Sequence, residues 1–267
     1  MKKILIIASN SFTGSHLTHY CLEKGYQVFG VSRSKEYNRV MLPYRYSGDT
    51  ENFSFHQMDI NKDLNKILKL SDKVKPGIIA NYAAQGEVRN SWRYPDQWYE
   101  TNCMGIVRLT EELRKRDYIK KYISASTPEV YGTTEDNLKE SHNYFPSTPY
   151  GASKLAGDLH LFTLCKRYNF PVVFTRSANV YGIHQQLYRI IPRTIIYLKM
   201  GKKIQLHGEG KSERSFVHIR DVAEATMKVA EKGINGEIYH ISPSDNNQVS
   251  IFLLVKMVCN MMGVNFE

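Results

Sequence analysis

Cysteine is scarce and scattered: the four in this 267-residue chain, Cys21, Cys103, Cys165 and Cys259, lie far apart and lack metal-ligand spacing. A disulfide-stapled scaffold and a cysteine-built zinc centre are thereby excluded; free thiols and no metal are expected. Long apolar runs are also missing. Nothing approaches the roughly 18 residues of a membrane span, and Met1-Lys2-Lys3 leads directly into a strand rather than a signal peptide. The expectation is a cytoplasmic protein with no membrane partner. Basic blocks are absent too, although the formal net charge is +10. The lysines and arginines are dispersed and often sit beside acids, as in Glu111-Glu112-Leu113-Arg114-Lys115-Arg116. That pattern argues against nucleic-acid binding and suits a basic surface attracting a doubly charged nucleotide diphosphate.

What remains is an ordinary globular composition, 42% hydrophobic and 23% charged, in one large domain or one domain with a subsidiary lobe. The pattern predicts strands at Lys3 to Ala8, Gln27 to Ser32, Phe53 to Met58, Ile78 to Tyr82, Tyr122 to Ala125 and Val172 to Ser177. Between them it predicts helices at Gly14 to Lys24, Trp98 to Arg116 and Tyr150 to Tyr168. This alternation implies an α/β fold with a doubly wound, Rossmann-like parallel sheet whose ligands bind at the carboxyl ends of the strands. Beyond Ser177 the expected order is a helix over Leu187 to Met200, a short strand Ile204 to Leu206, a helix Asp221 to Lys232, a strand Ile238 to Ile241 and a helix Ile251 to Met262. These later elements suggest a small C-terminal substrate lobe. The expected division is residues 1–178 with 215–242 as the dinucleotide-binding domain, and 179–214 with 243–267 as the lobe.

Two segments carry chemistry. Ser126-Thr127-Pro128-Glu129-Val130-Tyr131-Gly132 follows a strand, and Tyr150-Gly151-Ala152-Ser153-Lys154 opens a helix. Residues four apart share a helix face, so Lys154 can set its ammonium beside the Tyr150 hydroxyl and lower the pKa of a phenol that is otherwise a poor base. Ser126 or Thr127 can bind the same substrate oxygen, and Glu129 offers a second base. Spacing alone is weak, because Tyr20 and Lys24 have it as well; only Tyr150 follows a strand-end hydroxyl pair. The first loop, Ala8-Ser9-Asn10-Ser11-Phe12-Thr13-Gly14, keeps glycine only at its last position, a thin signal for pyrophosphate at a helix N-terminus. The second strand ends in Arg33, with no acid for the ribose hydroxyls, which suits a 2′-phosphate. Asp59 is either an adenine contact or a helix N-cap.

With Phe12-Thr13-Gly14, Asn81-Tyr82-Ala83-Ala84-Gln85, Thr101-Asn102, Arg176, Asn179-Val180-Tyr181-Gly182 and Arg214-Ser215-Phe216-Val217-His218 added in order, the chain resembles the extended short-chain dehydrogenase/reductases. The closest likeness is to their nucleotide-sugar epimerases and dehydratases. Glu129 before Val-Tyr-Gly is similar to the 4,6-dehydratases. The resemblance implies an NAD(P)-dependent lyase that oxidises C4 of a nucleotide-diphosphate sugar, eliminates water across C5 and C6, and returns the hydride to C6. It implies Thr127, Glu129, Tyr150 and Lys154 as catalytic groups. Cofactor contacts would come from Ser11, Phe12, Thr13, Gly14, Arg33, Asp59, Ile60, Ala83, Ala84, Asn102, Tyr150 and Lys154. Substrate contacts would come from Gln85, Ser126, Asn179, Arg189 and Arg214. The cofactor would be NADP or NAD, tightly bound and recycled, with NADP favoured by Arg33. The resemblance further implies a homodimer and a role in polysaccharide biosynthesis.

Departures qualify the likeness. Ala8 and Ser11 replace two loop glycines, Glu87 stands where histidine is common, and Pro128 takes the place of the aspartic acid that protonates the departing hydroxyl in thymidine-type dehydratases. Family members usually extend past the equivalent of Glu267, so the lobe is expected to be shorter here. Pro128 keeps a 4-epimerase as the alternative reading, and a non-catalytic nucleotide-binding module stands behind both.

Overall fold

The structure, a computed structural model, describes residues 1–46, 50–133, 138–243 and 248–266. The first half alternates strands and helices except between β2 and β3, which only two 3₁₀ turns separate among the described residues: β1 (Lys3–Ile7), α1 (Phe12–Glu23), β2 (Gln27–Ser32), β3 (Phe53–Gln57), α2 (Leu64–Val74) and β4 (Ile78–Asn81). Then come α3 (Val88–Ser91), α4 (Pro95–Tyr99), α5 (Gly105–Leu113), β5 (Lys121–Ala125), α6 (Pro149–Tyr168) and β6 (Val172–Ser177). The remainder comprises β7 (Asn179–Tyr181), α7 (Ile190–Lys199), β8 (Glu213–His218), α8 (Ile219–Lys232), β9 (Ile238–Ile241), β10 (Gln248–Ser250) and α9 (Ile251–Met261).

Seven parallel strands form one sheet in the order β3-β2-β1-β4-β5-β6-β9. The doubly wound architecture expected from the alternation is the one observed. In β1 the period of two sends Ile4 and Ile6 to the side covered by α1 and α8, and Leu5 and Ile7 to the side covered by α2, α5 and α6. Both faces are apolar, as a parallel sheet buried on both sides requires. The order reverses between β1 and β4, where Ile7 pairs with Asn81, so loops leaving these strands open a crevice at their carboxyl ends.

Several elements depart from the sequence pattern. The single helix expected from Trp98 to Arg116 is interrupted by a π-helical turn at Glu100–Met104. There the Asn102 side chain leaves the helix face to bond the Gln85 backbone and Ser153. Gly157 of α6 lies against this turn so closely that a Cβ would stand 2.3 Å from the Asn102 carbonyl oxygen. Helix α2 went unpredicted despite its buried Ile67, Leu68, Leu70, Ser71 and Val74. Ile204 to Leu206 is not a strand: no partner strand pairs with it, and the chain runs into a 3₁₀ turn in which Gly208 and Glu209 are left-handed. Instead β7, β8 and β10 make a separate small sheet, with β8 central. No helix among the described residues is long and apolar enough to cross a membrane.

Candidate active site

The first loop explains which glycines the sequence can spare. Ala8 is left-handed at φ 64°, the conformation for which the family pattern supplies glycine, and alanine carries that strain here. Ser11 has an ordinary φ of −70° and caps α1, its Oγ accepting from Gly14 N–H at 3.1 Å. Gly14 alone is sterically required, since a Cβ would lie 2.2 Å from the Ala8 carbonyl oxygen. The loop is also tied to the end of β2: Asn10 N–H donates to Ser32 Oγ at 3.1 Å, and Asn10 Nδ2 to the Lys35 carbonyl at 2.9 Å. Asn10 was not singled out in the sequence, yet it fixes where Arg33 stands, exposed in the turn after β2.

The two chemistry-bearing segments meet at the carboxyl ends of β4 to β6. Helix α6 starts with Thr148 as its cap, accepting from Gly151 N–H at 3.0 Å, and Pro149 in its first turn. Gly151 has no room for a side chain: a Cβ would lie 2.7 Å from the Glu129 carbonyl oxygen. That contact brings Tyr150 against the turn Pro128–Tyr131, which Thr127 caps by accepting from Glu129 N–H at 3.3 Å. Tyr150 hydrogen-bonds Thr127. Thr127, Glu129 and Tyr150 therefore lie close together.

Lys154 behaves differently from the expectation. It is almost fully buried and donates from Nζ to the Ala125 carbonyl at 2.8 Å. Although part of Tyr150 reaches solvent, burial of the phenol is the dominant influence and raises its pKa; the Thr127 hydrogen bond and then the Arg189 charge act in the lowering direction. Arg189, exposed at the cap of α7, is the cation identified as lowering the phenol here. Burial pulls Lys154 itself below an ordinary lysine, and Asp158, one turn along α6, pulls it back up. Tyr20 and Lys24, the spacing-matched pair, show what the pattern means without a site: the ammonium sits 5.4 Å from the ring centroid at the end of α1.

The remaining residues take distinct places. Ser126 Oγ bonds Asp158 rather than standing free for a sugar oxygen. Asn102 is committed to Gln85 and Ser153, so its side chain holds the loop after β4. Ala83 N–H is bonded to Asn81 Oδ1 at 3.0 Å, while Ala84 is exposed. Asp59 is not the cap of α2: Asp63 holds that position, and Asp59 Oδ1 accepts from Asn61 N–H at 2.8 Å. Ile60 is buried beside Gly105, and Phe12 and Thr13 form the first turn of α1. Asn179 and Arg214 are exposed on the paired strands β7 and β8; Arg214 donates to its neighbour's carbonyl at 2.7 Å. Glu87 and Pro128 are exposed. The four cysteines are free, and no cluster able to hold a metal occurs among the described residues.

Residues 4–242 match the NAD dependent epimerase/dehydratase family. The chain belongs to that family. It is 32% identical to the human dTDP-D-glucose 4,6-dehydratase across 98% of this chain and 74% of that protein. Among solved structures it superposes on the dTDP-glucose 4,6-dehydratase of Bacillus anthracis in complex with NAD at a TM-score of 0.87 and 27% identity, covering 99% of this chain and 82% of the other. The UDP-glucuronic acid 4-epimerase of Bacillus cereus, in complex with UDP-glucuronic acid and NAD, is equally similar in shape, with a TM-score of 0.87, 28% identity and coverage of 98% and 84%. Both activities of the family thus lie within the same structural neighbourhood.

Proposed function

We propose that this family member is an NAD(P)-dependent nucleotide-sugar 4,6-dehydratase. The observation that carries the reading is the convergence of Tyr150, Thr127 and Glu129 at the carboxyl edge of the sheet, held by the Gly151 contact. Tyr150 takes the proton from the sugar O4, and Thr127 hydrogen-bonds that oxygen. The resulting C4 ketone acidifies the neighbouring C5–H; Glu129 removes the C5 proton, the C6 hydroxyl takes a proton from the protonated Glu129 or from a water and leaves as water, and C5 regains a proton from solvent when hydride returns to C6. A nicotinamide held in this crevice would supply the acceptor for the C4 hydride and the donor that restores it at C6. The residues present fit such a group: the α1 N-terminus with Gly14 against Ala8 supplies the close backbone approach that a pyrophosphate needs, and Ala83 and Ala84, after β4, and Lys154, on α6, are proposed as further contacts. Asn179, Arg189 and Arg214 are proposed to hold the diphosphate, with Gln85 near the sugar; a guanidinium offers paired donors to phosphate oxygens.

Pro128 favours a second reading, a 4-epimerase, because proline cannot protonate the departing hydroxyl. The two part at C5. Run in deuterated water, the dehydratase must exchange the C5 hydrogen during each turnover, whereas an epimerase leaves it in place. A product without deuterium at C5 would rule out the dehydratase.

Four finer assignments belong with this reading. Arg33, exposed where an acid would hold the ribose hydroxyls, is proposed to favour NADP; Arg33→Asp should reverse the ratio of affinities. Equal or tighter binding of NAD by the unmutated protein contradicts it. The lobe of residues 179–214 and 243–267 is proposed to bind the sugar nucleotide, and residues 1–178 with 215–242 the dinucleotide. A homodimer through the segment Trp98 to Arg116 and α6 is proposed from exposed apolar side chains such as Met104 on the first and Leu159 on the second; a monomeric mass in light scattering at micromolar concentration would remove it. The cytoplasm as its location fits the four free thiols and is checked by cell fractionation.

A further inference from the structure

Behind Tyr150 and Lys154 lies a buried polar chain that the proposed reaction does not use. Asp158 and Arg176 have side chains 1% and 0% exposed and are paired at 3.2 Å. The same Asp158 oxygen accepts from Ser126 Oγ, while its other oxygen has no hydrogen-bond partner. Arg176 is clamped between two rings, with its guanidinium 4.8 Å from the Tyr131 centroid and 5.0 Å from that of Tyr144, and it donates to both phenols at 2.6 and 3.3 Å. Tyr131 is in turn bonded to His240 Nε2 at 2.9 Å, and Glu140 accepts from the His240 N–H at 2.8 Å. Arg176 is therefore fixed from β6, β9 and the segment before α6.

Isolated ion pairs in a core rarely stabilise more than apolar residues of the same volume would, because both ions lose their hydration. Position gives this one a different significance. Ser126 precedes Thr127, the partner of Tyr150, and Ala125 before it accepts from Lys154 Nζ. Lys154 and Asp158 are four residues apart on one helix face. A single carboxylate thus reaches both the strand end that carries Thr127 and the helical turn that carries Lys154. We infer that Asp158 is a positioning residue of the reaction, anchoring Lys154 and the Ser126–Thr127 strand end against the clamped Arg176. The inference rests on the reading of Tyr150 as the base.

The charges decide the direction of the effect. Asp158 raises Lys154, and it also raises Tyr150. Burial pushes Asp158 up, while the Lys154 and Arg176 cations and the Ser126 hydroxyl act to lower it; its pairing with Arg176 at 3.2 Å is the arrangement of a carboxylate facing a guanidinium. The other titratable groups packed there are Tyr144 and Tyr131, which face Arg176, and Glu129 and Arg189, which act on Tyr150. Neutralising Asp158 removes an anion from both members of the Tyr150–Lys154 pair, so both titrate at lower pH. Lys154 is then lost as a cation sooner as pH rises.

The test is Asp158→Asn in the full chain with cofactor bound. With lysine labelled by carbon-13 at Cε, the Lys154 resonance, assigned by its absence in Lys154→Arg, should titrate about 1–3 pH units lower than in the parent. Both limbs of the turnover profile on a nucleotide-sugar substrate should move to lower pH. Peak kcat should fall about 10²-fold with KM little changed, as expected of misplacement rather than lost binding. Should that variant not fold, Asp158→Leu combined with Arg176→Met removes both charges without stranding either, and the kcat loss should persist. An unmoved Lys154 titration in folded Asp158→Asn, or parental kcat in the folded double variant, overturns the inference and leaves a merely structural ion pair. Parent protein that turns over no nucleotide sugar defeats the proposed function instead, while the resonance titration still reports on Asp158.

Discussion

Replacing Tyr150 by phenylalanine is expected to abolish the first step while leaving the fold intact. The ring keeps its packing at the start of α6, and only the hydroxyl that bonds Thr127 is lost. Without it the group proposed to take the O4 proton is gone, so hydride should not leave C4. A positioned general base is worth about 10²–10⁴ in rate, and the fall should lie in that range or below detection. Single-turnover absorbance at the reduced-nicotinamide band should stay flat after substrate is added. Unchanged hydride transfer in Tyr150→Phe would remove Tyr150 from the mechanism. In the parent, burial raises the phenol, so activity governed by its ionisation should increase with pH until Lys154, lowered by burial, loses its proton.

Glu129→Gln should fail one step later. Glutamine preserves shape and can still hydrogen-bond, but it cannot accept the C5 proton. Oxidation at C4 should proceed, the reduced-nicotinamide absorbance should appear and persist, and C5 exchange with solvent should fall by about 10²–10⁴. The backbone contacts that seat Glu129, its N–H to Thr127 and its carbonyl against Gly151, are unaffected by the change. Parental water loss in this variant would transfer the role to another carboxylate, with exposed Glu87 the first to examine.

Much of this site was legible in the sequence because its members are close in the chain or sit at strand ends. Thr127 and Glu129 follow β5 directly, Tyr150 and Lys154 are one helical turn apart, and Gly14 opens α1. What could not be read were relationships made only by packing. Nothing local distinguishes Asp158 from a surface acid of α6, yet the fold drives it into the core against Arg176 on β6. Lys154 was placed beside the phenol from helix geometry alone; in the fold its long side chain finds the Ala125 carbonyl instead. The π-helical turn was hidden for the same reason, since its cause is the contact between Asn102 and the loop after β4 together with the approach of Gly157. Strands β7, β8 and β10 are three to six residues long and pair across long stretches of sequence, so no periodicity announces them.

The central claim, that these residues carry out dehydration rather than simple inversion at C4, is tested most directly by product mass. The purified protein, incubated with a panel of nucleotide-diphosphate hexoses and catalytic nicotinamide cofactor, should convert one of them to a product lighter by one water, bearing a carbonyl at C4 and a methyl group at C6. A product of unchanged mass with inverted C4 would contradict the account and make the chain an epimerase.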